Sequence, residues 1–164
     1  VVPTAPMNLY AGKSKRLEDV KNGSTVSVPN DPTNLARALV VLRDLGWITL
    51  KPGIKTTTAS ERDIASNKYN IVLKPLEAAQ LPRSRADVDF AIVNGNYAVS
   101  SGMNLKDGLF QERSKAYLNV GVFQNKSLNT QWAQDVIAAY RSPEFKAYAL
   151  KRFPGYNYPA GWVK

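Results

Sequence analysis

Val28-Pro29-Asn30-Asp31-Pro32-Thr33-Asn34-Leu35-Ala36-Arg37 joins the end of one structural element to the start of another. Thr25-Val26-Ser27-Val28 reads as a strand, and Pro29 to Asn34 as a loop that ends in a helix start. Asp31 can cap that helix, and Pro32 suits its first position, where a missing N–H is no loss. Leu35, Ala38, Leu39, Val41, Leu42 and Leu45 then recur at helical spacing. A helix is therefore expected from about Thr33 to Leu45, closed by Gly46. Strand, short loop and amphipathic helix in this order argue an α/β protein.

The same alternation continues on both sides. Upstream, Leu17-Glu18-Asp19-Val20 reads as a helical turn stopped by Asn22-Gly23. Downstream, Trp47 to Leu50 reads as a short extended segment, Ser60 to Ala65 as a short helix, and Tyr69 to Leu73 as a buried strand. Glu77-Ala78-Ala79-Gln80 is weakly helical. Val88 to Val93 is a strand ending at Asn94-Gly95-Asn96, and Tyr117 to Phe123 a further strand. Two helices close the sequence, one from about Thr130 to Tyr140 and one from Ser142-Pro143-Glu144 to near Phe153-Pro154-Gly155. No repeat, low-complexity tract or Gly/Ser linker divides the chain.

Composition excludes several function classes. With 44% apolar and 21% charged residues over 164 positions, the chain has the balance of a folded globular protein. No stretch approaches the run of roughly 20 apolar residues that a membrane span needs. Val1 to Pro6 lacks the basic start and apolar run of a secretory signal, as a mature or trimmed chain also would. The absence of Cys and His removes thiol nucleophiles, disulfides, the usual zinc ligands and imidazole acid–base chemistry. No Gly-rich phosphate loop and no Ser-Lys or paired-carboxylate arrangement stands out, so no catalytic residue, metal or cofactor is expected. The net charge of +9 has two readings: a polyanion-binding surface such as a basic nucleic-acid-binding domain, or a solvated basic surface. The Lys and Arg residues are spread along the chain without a nucleic-acid signature, which favours the second.

Three residues invite a closer look. Arg37 lies one turn into the capped helix and off the apolar stripe, so burial in the core is not required of it and its replacement should leave stability little changed. Its planar fork suits a carboxylate, beside a helix N-terminus that itself favours anions. A surface arginine in an ordinary capped helix fits the same residues. Asn94 stands at the carboxyl end of an apolar strand, where ligands bind in open α/β sheets. Its amide offers donors and an acceptor to a zwitterion, although Asn94-Gly95-Asn96 is also turn chemistry. Asn119 interrupts Leu118-Asn119-Val120-Gly121-Val122 and needs a partner, either neighbouring backbone or a ligand.

Several of these stretches together resemble the NlpA family, the methionine-binding lipoproteins of ABC importers. They are Pro6-Met7-Asn8-Leu9-Tyr10, Val28 to Asn34 with Arg37-Ala38-Leu39, Glu77 to Arg83, Val88-Asp89 with Ile92 to Ala98, and Tyr117 to Val120. The resemblance runs over nearly the whole chain in the family's order. It implies a type II periplasmic binding protein-like fold, two-lobed α/β, here truncated at the N-terminus. On that fold residues 1–10 are expected to hold the end of the first lobe and the first crossover, 11–87 the second lobe, and 88–164 the return crossover with the remainder of the first lobe. The implied function is an extracytoplasmic solute-binding protein, not an enzyme, that holds methionine between its lobes for import through an ABC permease and ATPase. Another amino acid or a methionine-containing dipeptide is the alternative ligand. Arg37 resembles the arginine that holds the ligand's carboxylate, and Asn94 and Asn119 the asparagines that bind its amino-acid head group. Both asparagines are expected on the first lobe, facing Arg37 across the cleft. The family further implies a lipid anchor at the periplasmic or outer face of the cytoplasmic membrane. A first lobe without its opening strands is expected to associate with an N-terminal segment or with a second copy.

Overall fold

The Asp31 side chain accepts a hydrogen bond from the Asn34 N–H at 3.0 Å and starts helix α1, Pro32–Asp44, with Pro32 at its first position. This is a computed structural model, and it describes residues 1–163. Gly46 closes α1 in a left-handed conformation (φ 73°). The Gly46 N–H bonds Arg43 O and the Trp47 N–H bonds Leu42 O, which satisfies two carbonyls of the last turn. Every residue from Ala36 to Leu42 is buried. A stripe alone would bury only part of that run, so α1 is covered on more than one side.

What covers it is a five-stranded sheet. Its strands are β1 Met7–Ala11, β2 Thr25–Pro29, β5 Val72–Leu76, β6 Phe90–Asn94 and β7 Phe110–Gln111, in the order β5-β2-β6-β1-β7. Strands β2, β5 and β6 are parallel, while β1 runs antiparallel to β6 and β7. Register places Met7 opposite Asn94 and Leu9 opposite Ile92. These positions share one face of the sheet, and Met7, Leu9, Val26, Val28, Phe90 and Ile92 pack there in one core with Ala38, Leu39 and Leu42 of α1. The other face carries Asn8, Tyr10 and Ser27. Helices α2 (Leu81–Ser84) and α3 (Gly95–Ser100) cover it, with the Ser27 and Ser84 hydroxyls 2.7 Å apart. Burial on both faces explains why β6 reads as an unbroken apolar run. A small antiparallel pair, β3 (Ile48–Leu50) and β4 (Ile64–Asn67), extends from the end of α1.

The chain divides into two compact units, residues 6–116 and residues 1–5 with 117–163. The division falls after Ala116, whereas the return to the other lobe is expected at Val88. Strand β6 is hydrogen-bonded between β1 and β2, so residues 88–116 belong with the unit that holds α1. In the other unit, α4 (Gln131–Arg141) is followed by α5 (Pro143–Arg152), which Ser142 caps by accepting the Phe145 N–H. There the backbones of Thr4 and Asn157 form an antiparallel bridge.

Four local expectations shift. Ser60 to Ala65 is a single 3-10 turn, Glu61–Asp63, leading into β4, because the Asp63 carboxylate accepts both the Ser60 N–H and its hydroxyl and tightens the turn. The strand expected at Tyr69 to Leu73 is β5, three residues later and half exposed. Asn70 adopts φ 46°, which breaks an extended run, and Pro75 is tolerated because β5 is an edge strand. Asn94-Gly95-Asn96 opens α3 rather than a turn. Tyr117 to Phe123 forms no ladder. A strand needs a neighbour in register, whereas Asn119 meets the Val2 N–H and the Thr4 hydroxyl.

Candidate functional site

Strands β2 and β6 are parallel, so their carboxyl ends lie on one side of the sheet, and each delivers polar residues there. After β2 come Asp31 and the first turns of α1, with Asn34 and Arg37. At the end of β6 stands Asn94. The start of the antiparallel strand β1, at Met7, arrives beside it. This is the place in an open α/β sheet where loops and helix N-termini leave a crevice.

Asn34 and Asn94 meet directly. Asn94 Nδ2 donates to Asn34 Oδ1 at 2.8 Å, and Asn34 Nδ2 donates to both carboxylate oxygens of Asp31 at 3.1 Å. The Asn94 side chain makes no capping bond to α3, since its amide is turned to Asn34 instead. Asn94 is 6% exposed, yet its Oδ1 has no hydrogen-bond partner among the described residues. A buried amide oxygen without a donor costs about 1–3 kcal/mol.

Arg37 and Glu112 form the second part of the cluster. They are 9% and 7% exposed, so both charges are out of water. Arg37 Nε donates to Glu112 Oε2 at 2.6 Å, and Arg37 Nη2 donates to Oε1 of the same carboxylate. Glu112, just past β7, is fixed to β1 twice: its N–H donates to Met7 O, and its Oε1 accepts the Met7 N–H, each at 2.9 Å. Arg37 is therefore held by a carboxylate that is itself hydrogen-bonded to the backbone of β1. Arg37 is thus buried although its place off the apolar stripe does not require it.

The sequence-predicted residues are thus distributed differently from expectation. Arg37 and Asn94 lie in the same unit, residues 6–116, and Asn119 lies exposed in the other. Glu112 and Asn34 were missed as site residues. Asn34 sits three residues before Arg37 in the quoted loop, so helical spacing could have found it. Nothing local marks Glu112, whose partner is 75 positions away. Among the described residues no cluster of acidic side chains could hold a metal ion, and no helix is long and apolar enough to cross a membrane.

Comparison with known proteins places this chain in a family. The model of the NlpA lipoprotein family matches residues 1–161, and the chain belongs to that family. It is 37% identical to the probable D-methionine-binding lipoprotein MetQ of Pasteurella multocida over 96% of this chain and 57% of that protein. Among solved structures, lipoprotein Tp32 of Treponema pallidum superposes with a TM-score of 0.83 at 34% identity, covering 93% of this chain and 64% of that one. A nutrient binding protein from Burkholderia cenocepacia bound to methionine superposes with a TM-score of 0.81 at 36% identity, over 94% and 66%. The chain spans a little over half the length of the curated relatives it matches.

Proposed function

We propose that this chain is part of an extracytoplasmic solute-binding protein of an ABC importer and that it binds an amino acid, methionine first. The observation that carries this reading is the buried, unpartnered Oδ1 of Asn94 in the same cluster as Arg37. An acceptor without a donor suits the ammonium of an amino acid, and a guanidinium suits its carboxylate. Asn34 holds the Asn94 amide so that its oxygen, not its NH2, is presented. Asn119 is proposed as a third head-group contact, on the family resemblance. The two relatives named for methionine support the ligand, and the lipoprotein names of the family support a lipid anchor and an importer partner outside the cytoplasm. Binding rather than catalysis fits a cluster whose only titratable side chains are one ion pair and a capping aspartate.

Isothermal calorimetry of the complete protein against the common amino acids, D- and L-methionine and a methionine dipeptide tests this. Saturable binding of methionine, weakened in Asn94→Ala, is expected. Tighter binding of another amino acid or of the dipeptide would move the ligand within the class. Heat from none of them would remove the reading.

A further inference from the structure

We infer that Glu112 sets the charge balance of the ligand site and makes it selective for zwitterions over simple carboxylates; this rests on the amino-acid reading above. The observation is the two-point pair between Arg37 and Glu112, both nine-tenths buried, with Glu112 anchored on Met7 of β1. A buried arginine that is already neutralised offers hydrogen-bond geometry to a ligand but little net attraction for an anion. A carboxylate entering such a site brings the local sum of charges to minus one in a poorly solvated place, which is costly. An ammonium carried by the same ligand returns the sum to zero. The nearby Asp31 adds only part of a negative charge to this balance. Its carboxylate faces the Asn34 N–H and amide, where it offsets the positive end of α1.

Asn94 and Glu112 then divide the work of recognition. Asn94 Oδ1 accepts the ammonium, while Glu112 makes a ligand lacking that ammonium unwelcome. What Glu112 supplies is charge, whichever N–H groups the ligand carboxylate meets. The Glu112 N–H bonds Met7 O, which holds the backbone of this residue beside β1.

The test compares methionine with its des-amino analogue, 4-(methylthio)butanoate, as ligands of the wild-type complete protein and of Glu112→Gln. Gln keeps the shape and an acceptor for the Met7 N–H but removes the charge. In Glu112→Gln the preference for methionine over the des-amino carboxylate should fall roughly ten- to hundredfold, the size of one unit charge about 6–12 Å away at an effective dielectric of about 20. Should that variant fail to fold, Glu112→Asp keeps the charge on a shorter arm. Its preference should then stay within a few-fold of wild type even as affinity for both ligands drops. An unchanged preference in Glu112→Gln, or a preference lost in Glu112→Asp, overturns the role of Glu112 and leaves the amino-acid reading standing. Failure of wild type to bind methionine or any other amino acid overturns that reading itself.

Discussion

At the scale of single residues, Arg37 is where structure and chemistry bear on each other most. Arg37→Ala leaves the Glu112 carboxylate buried and unpaired, which typically costs about 3–5 kcal/mol of stability. Urea denaturation should register that loss, in place of the small change suggested by a residue off the apolar stripe. Calorimetry should register a separate loss of about 2–5 kcal/mol in ligand affinity. Arg37→Lys should recover little of either, since an ammonium cannot span both carboxylate oxygens. A wild-type denaturation midpoint in Arg37→Ala would show the pair to be dispensable. Asn34 and Asn94 make a second residue-level case. Alanine at either should weaken binding, and the double mutant should lose less than the sum, because both act on one amide orientation. Strict additivity would break the link between them. Helical spacing was enough to mark Arg37 and the strand end enough to mark Asn94. Glu112 was illegible because nothing near it in sequence needs a charge; only folding supplies its partner.

Elements were legible where their ends are written in local chemistry. Asp31, Pro32 and Gly46 fix α1 to within a residue, and Ser142 with Pro143 starts α5, since caps act through the nearest backbone N–H groups. Strands depend on neighbours and were read less well. Edge position explains β5, and the short β7 exists because β1 offers it a free flank. Asp89, just before β6, shows how such pairing is secured. Its carboxylate accepts the Thr25 N–H at 2.8 Å and the Thr25 hydroxyl at 3.0 Å, tying β2 to the start of β6. The bond from the Thr25 N–H holds this carboxyl below the usual aspartate range. A lowered folded value means stability that is present above the ordinary aspartate pKa and lost as pH falls through the lowered one. Wild type should therefore exceed Asp89→Ala in stability at neutral pH, and the gap should narrow on acidification below the ordinary range. Asp19 and Asp63, lowered by backbone N–H bonds from Arg16 and Ser60, add acid sensitivity that the mutant retains. A gap that stays constant from neutral to strongly acidic pH would deny Asp89 this role.

At the scale of the whole molecule, the two units differ in how well they are filled. In residues 6–116 the sheet and α1 enclose an extended apolar core. Among the described residues of the other unit, Ala133 and Ala149 are the buried apolar ones, while Val120, Val122, Trp132, Val136, Tyr140 and Tyr148 stand exposed. Trp132, Val136 and Tyr140 recur every fourth residue, so they form one apolar stripe along α4. Beside them opens a recess of about 450 Å³ lined by Val1, Val120, Phe123, Val136, Tyr140 and Trp162. The sequence shows each of these residues but not their exposure, because apolar spacing looks the same whether or not a partner covers it. An uncovered apolar surface of this extent seldom persists on a monomer. We propose that it is covered by polypeptide from the part of the family's length that this chain does not span, which is substantial, since the chain covers 57% of its MetQ relative. Residues 1–164 produced alone should then self-associate or bind a hydrophobic dye, and co-production with that segment should give a defined complex in which Trp132 fluorescence shifts to the blue. Light scattering and intact mass measure the outcome. Dimers that form equally well with the segment present would make a second copy the cover. A cooperatively folding monomer of 18.1 kDa that binds no dye would mean that the stripe on α4 needs no cover.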